Sequence, residues 1–199
     1  MVLKIVVLTC EDDDVLLLLG REIAEGCREA GEQPVVAKNA CEACVSEAEL
    51  VFLGFTSHRR FFWNYASDCV LRALRGKENG KKNGNEKEEG KESGKESEKE
   101  SGKESEGVWR NKKIALFSAC YGEASRAAVS DVVRAAGEAG GRVVNTLSIV
   151  AQKTRQGGWE ATEVDLARAS GFGERTTNNA KGTTVFKHNE KRRIKKYLK

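Results

Sequence analysis

Five apolar runs of strand length punctuate the chain, and helical patterns fill the intervals between them. The runs are Leu3 to Thr9, Gln33 to Lys38, Leu50 to Phe55, Lys113 to Ser118 and Arg142 to Val150. The first is continuous and rich in β-branched residues, the mark of a strand buried on both faces. After it, Leu16, Leu19, Ile23 and Cys27 recur at helical spacing, and Gly31 supplies a stop. Cys41 to Glu49 is a short helix or loop, and Tyr65 to Leu74 has a helical pattern. Val129, Val132, Val133 and Ala136 mark another helix, and Thr162 to Ser170 a last one with Gly171 after it. Strands that alternate with helices imply a parallel sheet covered on both faces. The expected fold class is α/β: a three-layer sandwich around a five-stranded parallel sheet of order 2-1-3-4-5.

The alternation fails once. From Gly76 to Gly107 the sequence is almost entirely Gly, Lys, Glu, Ser and Asn, with GKES recurring near a four-residue period. No apolar face can form there, so the segment is expected to be a disordered, solvated insertion. The expected organisation is one domain over residues 1–175, the insertion at 76–107 within it, and a polar then basic tail over 176–199.

The formal net charge is +4, and it is uneven. Lys187 to Lys199 holds seven Lys or Arg against one Glu. Basicity of the whole chain is therefore no argument for nucleic-acid binding; the tail alone is a candidate for weak, salt-sensitive contact with polyanions. No apolar run reaches the roughly 18 residues of a membrane span. The six cysteines are scattered, and the first residues form a strand pattern without a basic start or cleavage site. The expectation is a reduced, cytoplasmic protein.

In a sheet of this order, ligands sit outside the carboxyl ends of the strands where the strand order reverses. The exits of the first, third and fourth strands meet there, and would line a crevice with Thr9 to Asp14, Thr56 to Trp63 and Ala119 to Ser125. The first exit presents Cys10, Glu11, Asp12, Asp13 and Asp14 in a row. Asp12 or Asp13 suits a helix cap, and acids in a first turn favour the helix dipole. The third exit carries hydroxyls, cations and rings: Thr56, Ser57, His58, Arg59, Arg60, Phe61, Phe62 and Trp63. The fourth carries Cys120, Tyr121, Gly122 and Glu123. The fifth, Gln152 to Trp159, contains GGW and is placed to cover the crevice.

From Lys4 to about Ser170, leaving out the insertion, the chain resembles the flavodoxin family. REIAEGCREAGEQPVV resembles that family's first helix and second strand, EAELVFLGFTSH its third strand and exit, and KKIALFSACYGEA its fourth strand and turn. AAGEAGGRVVNTLSIV and VDLARASGFGER resemble the elements that end the domain. The resemblance implies FMN as cofactor, and electron transfer to a redox partner protein as activity. It implies contacts to the cofactor from Thr9, Cys10, Asp12, Thr56, Ser57, Trp63, Tyr121 and Gly122. The family's first exit turn is a glycine- and hydroxyl-containing loop around the FMN phosphate, and only Thr9 keeps that character here. Backbone N–H groups at a helix start attract a dianionic phosphate. Carboxylates beside it oppose this by about 2–3 kcal/mol per unit-charge pair at roughly 6 Å, before screening. Two functions follow: FMN-linked electron transfer or, alternatively, a flavin-free binding or regulatory module that has lost the phosphate loop.

Other constellations are thinner. A receiver-like Mg²⁺ domain would use Glu11 to Asp14, Ser118 and Lys153, but it needs an acid after the third strand, where the chain has Gly54, Phe55 and Thr56. Cys41 and Cys44 have the CxxC spacing of thiol redox sites or half a zinc site, with no second pair to complete a tetrahedral set. Cys10 and Cys120 are expected at strand exits, and His58 in the third exit loop.

Overall fold

The computed structural model describes residues 3–38, 42–60, 63–75, 107–121 and 126–182. Most of the insertion, the basic end of the tail, Cys41, Phe61, Phe62 and Gly122 lie outside the described residues, as do the side chains of Cys44, His58 and Trp63.

The elements run β1 (Ile5–Thr9), α1 (Asp14–Glu29), β2 (Val35–Lys38), α2 (Glu42–Glu47), β3 (Leu50–Arg60), β4 (Trp63–Ala66), α3 (Asp68–Arg75), β5 (Lys113–Tyr121), α4 (Arg126–Glu138), β6 (Arg142–Lys153), β7 (Trp159–Glu160) and α5 (Glu163–Ala180). The sheet order is β2-β1-β3-β5-β6-β7, with β4 paired to β3. β2, β1, β3, β5 and β6 are mutually parallel, which is the expected 2-1-3-4-5 order when only these five are counted. β4 and β7 are antiparallel additions at the carboxyl end of the sheet.

Strand alternation sorts the core into two layers. Ile5 and Val7 of β1, Phe52 of β3 and Phe117 of β5 face α1 and α5, where Leu16, Leu19, Ile23 and Phe172 meet them. Val6, Leu8, Leu53, Phe55 and Leu116 face the other way, onto Val45, Val70, Leu74 and Val132 of α2, α3 and α4. All five residues of β1 are buried, as its unbroken apolar run requires.

α1 and α5 approach each other through glycine. A Cβ on Gly26 would stand 1.9 Å from the Ser170 carbonyl oxygen, and one on Gly173 would stand 2.2 Å from that of Ile23. Cys27 lies in the same seam, where its sulfur accepts from the Thr177 hydroxyl at 3.3 Å. Below it Glu32, only 4% exposed, accepts from the Leu3 amide and pairs with Lys181 at 2.8 Å. The start of the first strand and the end of the last helix are thereby joined through one buried carboxylate.

Several boundaries differ from the sequence expectations. Thr56 to Arg60 are not loop: β3 continues to Arg60, pairing with β5 as far as His58 opposite Tyr121 and with β4 from Ser57 to Arg60. The helix expected from Tyr65 begins at Asp68. β5 extends to Tyr121, so Cys120 and Tyr121 end a strand instead of opening a turn. β6 extends to Lys153. The last helix does not stop at Gly171; Gly171 and Gly173 are interior to α5, where small residues let α1 come close, and the helix runs to Ala180. Gly31 does end α1, with φ of +84° just past its cap.

Candidate functional site

The crevice at the carboxyl ends of β1, β3 and β5 is built around two carboxylates from the β1–α1 turn. Asp13 is the N-cap of α1, with extended backbone, and its Oδ1 accepts from the Leu16 amide at 2.8 Å. Its Oδ2 accepts from the Tyr121 hydroxyl at 2.5 Å. Glu11 crosses from the same turn to β3, where its Oε2 accepts from the Thr56 hydroxyl. The turn is also held by its backbone, since Cys10 N–H donates to the Gly54 carbonyl at 3.0 Å. Glu11 and Asp13 thus tie the ends of β1, β3 and β5 together.

Asp12 faces elsewhere. It is exposed and pairs with Lys38 of β2 at 2.8 Å, away from the Tyr121 side. Asp14 is the first residue of α1. Among the described residues, no group of three or more His, Cys, Asp or Glu side chains converges on a point that would hold a metal ion. The receiver arrangement is not formed either: Ser118 is inside the sheet, bonded to Ser148 at 3.0 Å.

One wall of the crevice is aromatic. Tyr121 meets Trp159 of β7 edge to face, with ring centroids 5.2 Å apart. Trp159 is 41% exposed. Burial, the hydrogen bond to Asp13 and the neighbouring acids together push the Tyr121 phenol well above its ordinary range, so it stays a neutral donor.

On the opposite face of the sheet the crevice carries thiols. Cys10 is buried, and Cys69 at the start of α3 donates to its carbonyl oxygen at 2.7 Å. Burial first, then the proximity of Cys69 and Glu11, pushes the Cys10 thiol far up. Cys69 is raised for the same leading reason. Both thiols are thereby held protonated more firmly than an exposed cysteine.

Four buried side-chain oxygens among the described residues have no hydrogen-bond partner: Thr9 Oγ1, Glu11 Oε1, Ser57 Oγ and Ser67 Oγ. All four belong to this end of the sheet: Thr9 ends β1, Ser57 lies toward the end of β3, and Ser67 joins β4 to α3. Leaving such a group unmade is unfavourable by about 1–3 kcal/mol, so their concentration here marks a place where something else supplies partners.

The structure therefore brings Thr9, Cys10, Thr56, Ser57 and Tyr121 to one end of adjacent strands. Trp63 begins β4, opposite Arg60 at the far end of the hairpin. Asp12 is turned outward, and Gly122 lies outside the described residues. Glu11, Asp13, Ser67 and Trp159 complete the site. Asp13 was legible as a cap and Trp159 as part of a covering loop, whereas Glu11 and Ser67 carried no signal that set them apart from neighbouring polar residues. Another depression, about 290 Å³, lies at the amino ends of β5 and β6 beside α5, and the Lys113 ammonium and Asn145 amide in it already donate to Ala180 and Thr176.

The fold is that of a flavodoxin-like α/β protein. The solution structure of two-electron reduced flavodoxin from Megasphaera elsdenii superposes with a TM-score of 0.58 at 12% identity, covering 87% of this chain and 98% of that one. Oxidised flavodoxin 2 from Bacillus cereus gives 0.56 at 14% identity, covering 89% and 99%. The flavodiiron protein from Giardia intestinalis gives 0.56 at 15%, covering 98% of this chain and 37% of that one. No family model matches the sequence, and no curated protein matches it.

The residues present can be weighed against FMN in two parts. The exposed Trp159 beside Tyr121, with hydroxyl-bearing strand ends nearby, fits a planar ring. The β1–α1 turn does not fit the phosphate, because Asp13 already takes the Leu16 amide at the start of α1 that an anion would seek.

Proposed function

We propose that this chain is a flavin-binding redox protein of the flavodoxin type that holds its ligand chiefly by the ring and polyol portions. The single observation that carries this reading is that the buried, unpartnered oxygens of Thr9 and Glu11 lie at the end of the sheet that also carries the Tyr121–Trp159 wall. Pockets of this kind join an apolar or aromatic wall to a few convergent polar groups. Electron transfer through a flavin calls on the protein for binding, orientation and electrostatics, and for no catalytic side chain. A redox partner protein would complete that activity. The reading is tested by incubating the purified full chain with flavins at micromolar concentration and following bound absorbance near ~450 nm, a property of oxidised flavin. Bound flavin supports the reading; none overturns it.

A second reading has its own observation. Glu11 and Asp13 use oxygens of the first turn to bond Thr56, Leu16 and Tyr121 within the protein. A turn closed in this way suits a flavin-free binding or regulatory module, and the same titration separates the two. For the tail, weak contact with polyanions is proposed from the cluster of cations at 187–199.

A further inference from the structure

We propose that the crevice selects a neutral, hydroxyl-bearing planar ligand over its phosphorylated form, so that riboflavin binds better than FMN. The inference rests on the flavin reading above and specifies the ligand's chemistry.

The first observation concerns the anion site. In a fold of this kind, a helix start at the crevice ordinarily offers its free N–H groups to a phosphate. Here Asp13 Oδ1 occupies the Leu16 amide at 2.8 Å, so a carboxylate of the chain itself takes the phosphate's role. Tyr121 fixes the other oxygen of the same group at 2.5 Å. Asp13 cannot swing aside without losing both bonds. A dianion arriving at this turn meets Glu11 and Asp13 at close range. Lys38, at the end of β2, is committed to Asp12.

The second observation is independent of the acids. Thr9, at the end of β1 on the face that meets α1, is 1% exposed, and its hydroxyl lacks a partner. The Thr9 methyl faces Gly20 of α1, which leaves its hydroxyl on the other branch of Cβ. Glu11 Oε1 is likewise buried and unpartnered, while Oε2 of the same carboxylate is fixed on Thr56. An ionised carboxylate oxygen only accepts, so the missing partner of Glu11 is a donor. A phosphate dianion brings acceptors and charge of the wrong sign. A ribityl chain brings several O–H groups, able to donate to Glu11 and to exchange bonds with Thr9 on the α1 side of the sheet. The site is built for donors without negative charge.

The test compares riboflavin and FMN as ligands of the full-length wild-type chain, by quenching of flavin fluorescence at low and at moderate ionic strength. The expected result is at least tenfold tighter binding of riboflavin at low salt, with the gap narrowing as salt screens the acids. Glu11→Gln, which keeps the shape and removes the charge, should strengthen FMN binding several-fold and bring the two ligands closer. Asp13→Asn preserves a good cap and should act in the same direction; its fold is checked by circular dichroism. FMN binding equal to or tighter than riboflavin binding in the wild-type chain overturns the inference and leaves the flavin reading standing. Absence of binding by both ligands overturns both.

Discussion

The Tyr121 hydroxyl donates to Asp13 Oδ2 at 2.5 Å, joining the last residue of β5 to the cap of α1. The two residues come from strand exits separated by β3, so the bond spans the crevice at the point where the strand order reverses. It also keeps Tyr121 next to Trp159. Tyr121→Phe removes the bond and keeps the ring. The expected loss is about 1–2 kcal/mol, in line with a partly exposed hydrogen bond to a charged group. Urea unfolding at neutral pH measures it, and an unchanged midpoint would show that the bond contributes nothing net.

The seam between α1 and α5 admits no side chain at two positions. Gly26→Ala and Gly173→Ala each drive a methyl into a backbone carbonyl that no rotamer change relieves. Each should lower stability by about 3 kcal/mol or more, at the upper end of overpacking effects. Gly31→Ala is a useful contrast. Nothing lies within 4 Å of a Cβ there, and only its φ of +84° is strained, so the loss should stay near 1 kcal/mol.

Glu32 is buried and serves two donors, the Leu3 amide and the Lys181 ammonium. Glu32→Ala leaves the Leu3 amide without its acceptor and Lys181 with only the Ala30 carbonyl, and should destabilise by about 2–3 kcal/mol. Lys181→Met leaves a buried carboxylate with only the amide, and should cost somewhat less, because Lys181 is itself part-exposed and water can reach the site. A double variant that recovers much of either loss would identify the penalty as that of the unpaired charge. Chemical denaturation of the four chains gives the cycle.

Burial raises the Cys27 thiol from 9.0 to about 11, against the opposing hydrogen bond from Thr177. The folded state keeps this proton more tightly than the unfolded chain does. Its contribution is complete below pH 9 and is lost as pH climbs from 9 to about 11. The full span is on the order of 2–3 kcal/mol. Unfolding in reductant at pH 8 and pH 10.5 should show a drop that is smaller in Cys27→Ala; an equal drop would place the titrating group elsewhere. Cys10, pushed up further by burial, adds to the fall at higher pH.

The fold was legible because the pattern is redundant. Each parallel strand is a β-branched run between helices, and the buried positions Leu16, Leu19, Ile23 and Cys27 follow directly from helical spacing. The strand order rests on the same alternation. Strand ends were less legible. His58 and Arg59 carry no apolar signal, and they stay in β3 because β5 continues alongside them and β4 folds back, which are tertiary facts. Gly171 reads as a stop because glycine commonly ends helices; here Gly173 two residues on serves contact with α1, which only the partner helix reveals. At the site, the row of acids was visible, but their division of labour was not. Asp12 turns to Lys38, Asp13 to the helix start and Glu11 to Thr56, because each successive backbone direction in the turn meets a different neighbour.

The glycine seam also bears on how the protein is made. Cys27 and Thr177, bonded across it, are 150 positions apart. A nascent chain leaving the ribosome can pack α1 against β1 and β3, but the Gly26 side of α1 has no partner until α5 has been synthesised. The sheet is shielded on that side by α1 and α5 together, the first near the start of the described residues and the second at their end. Completion of this layer depends on contacts distant in sequence, which are slow to form and leave partly covered apolar surface open to other chains in the interval.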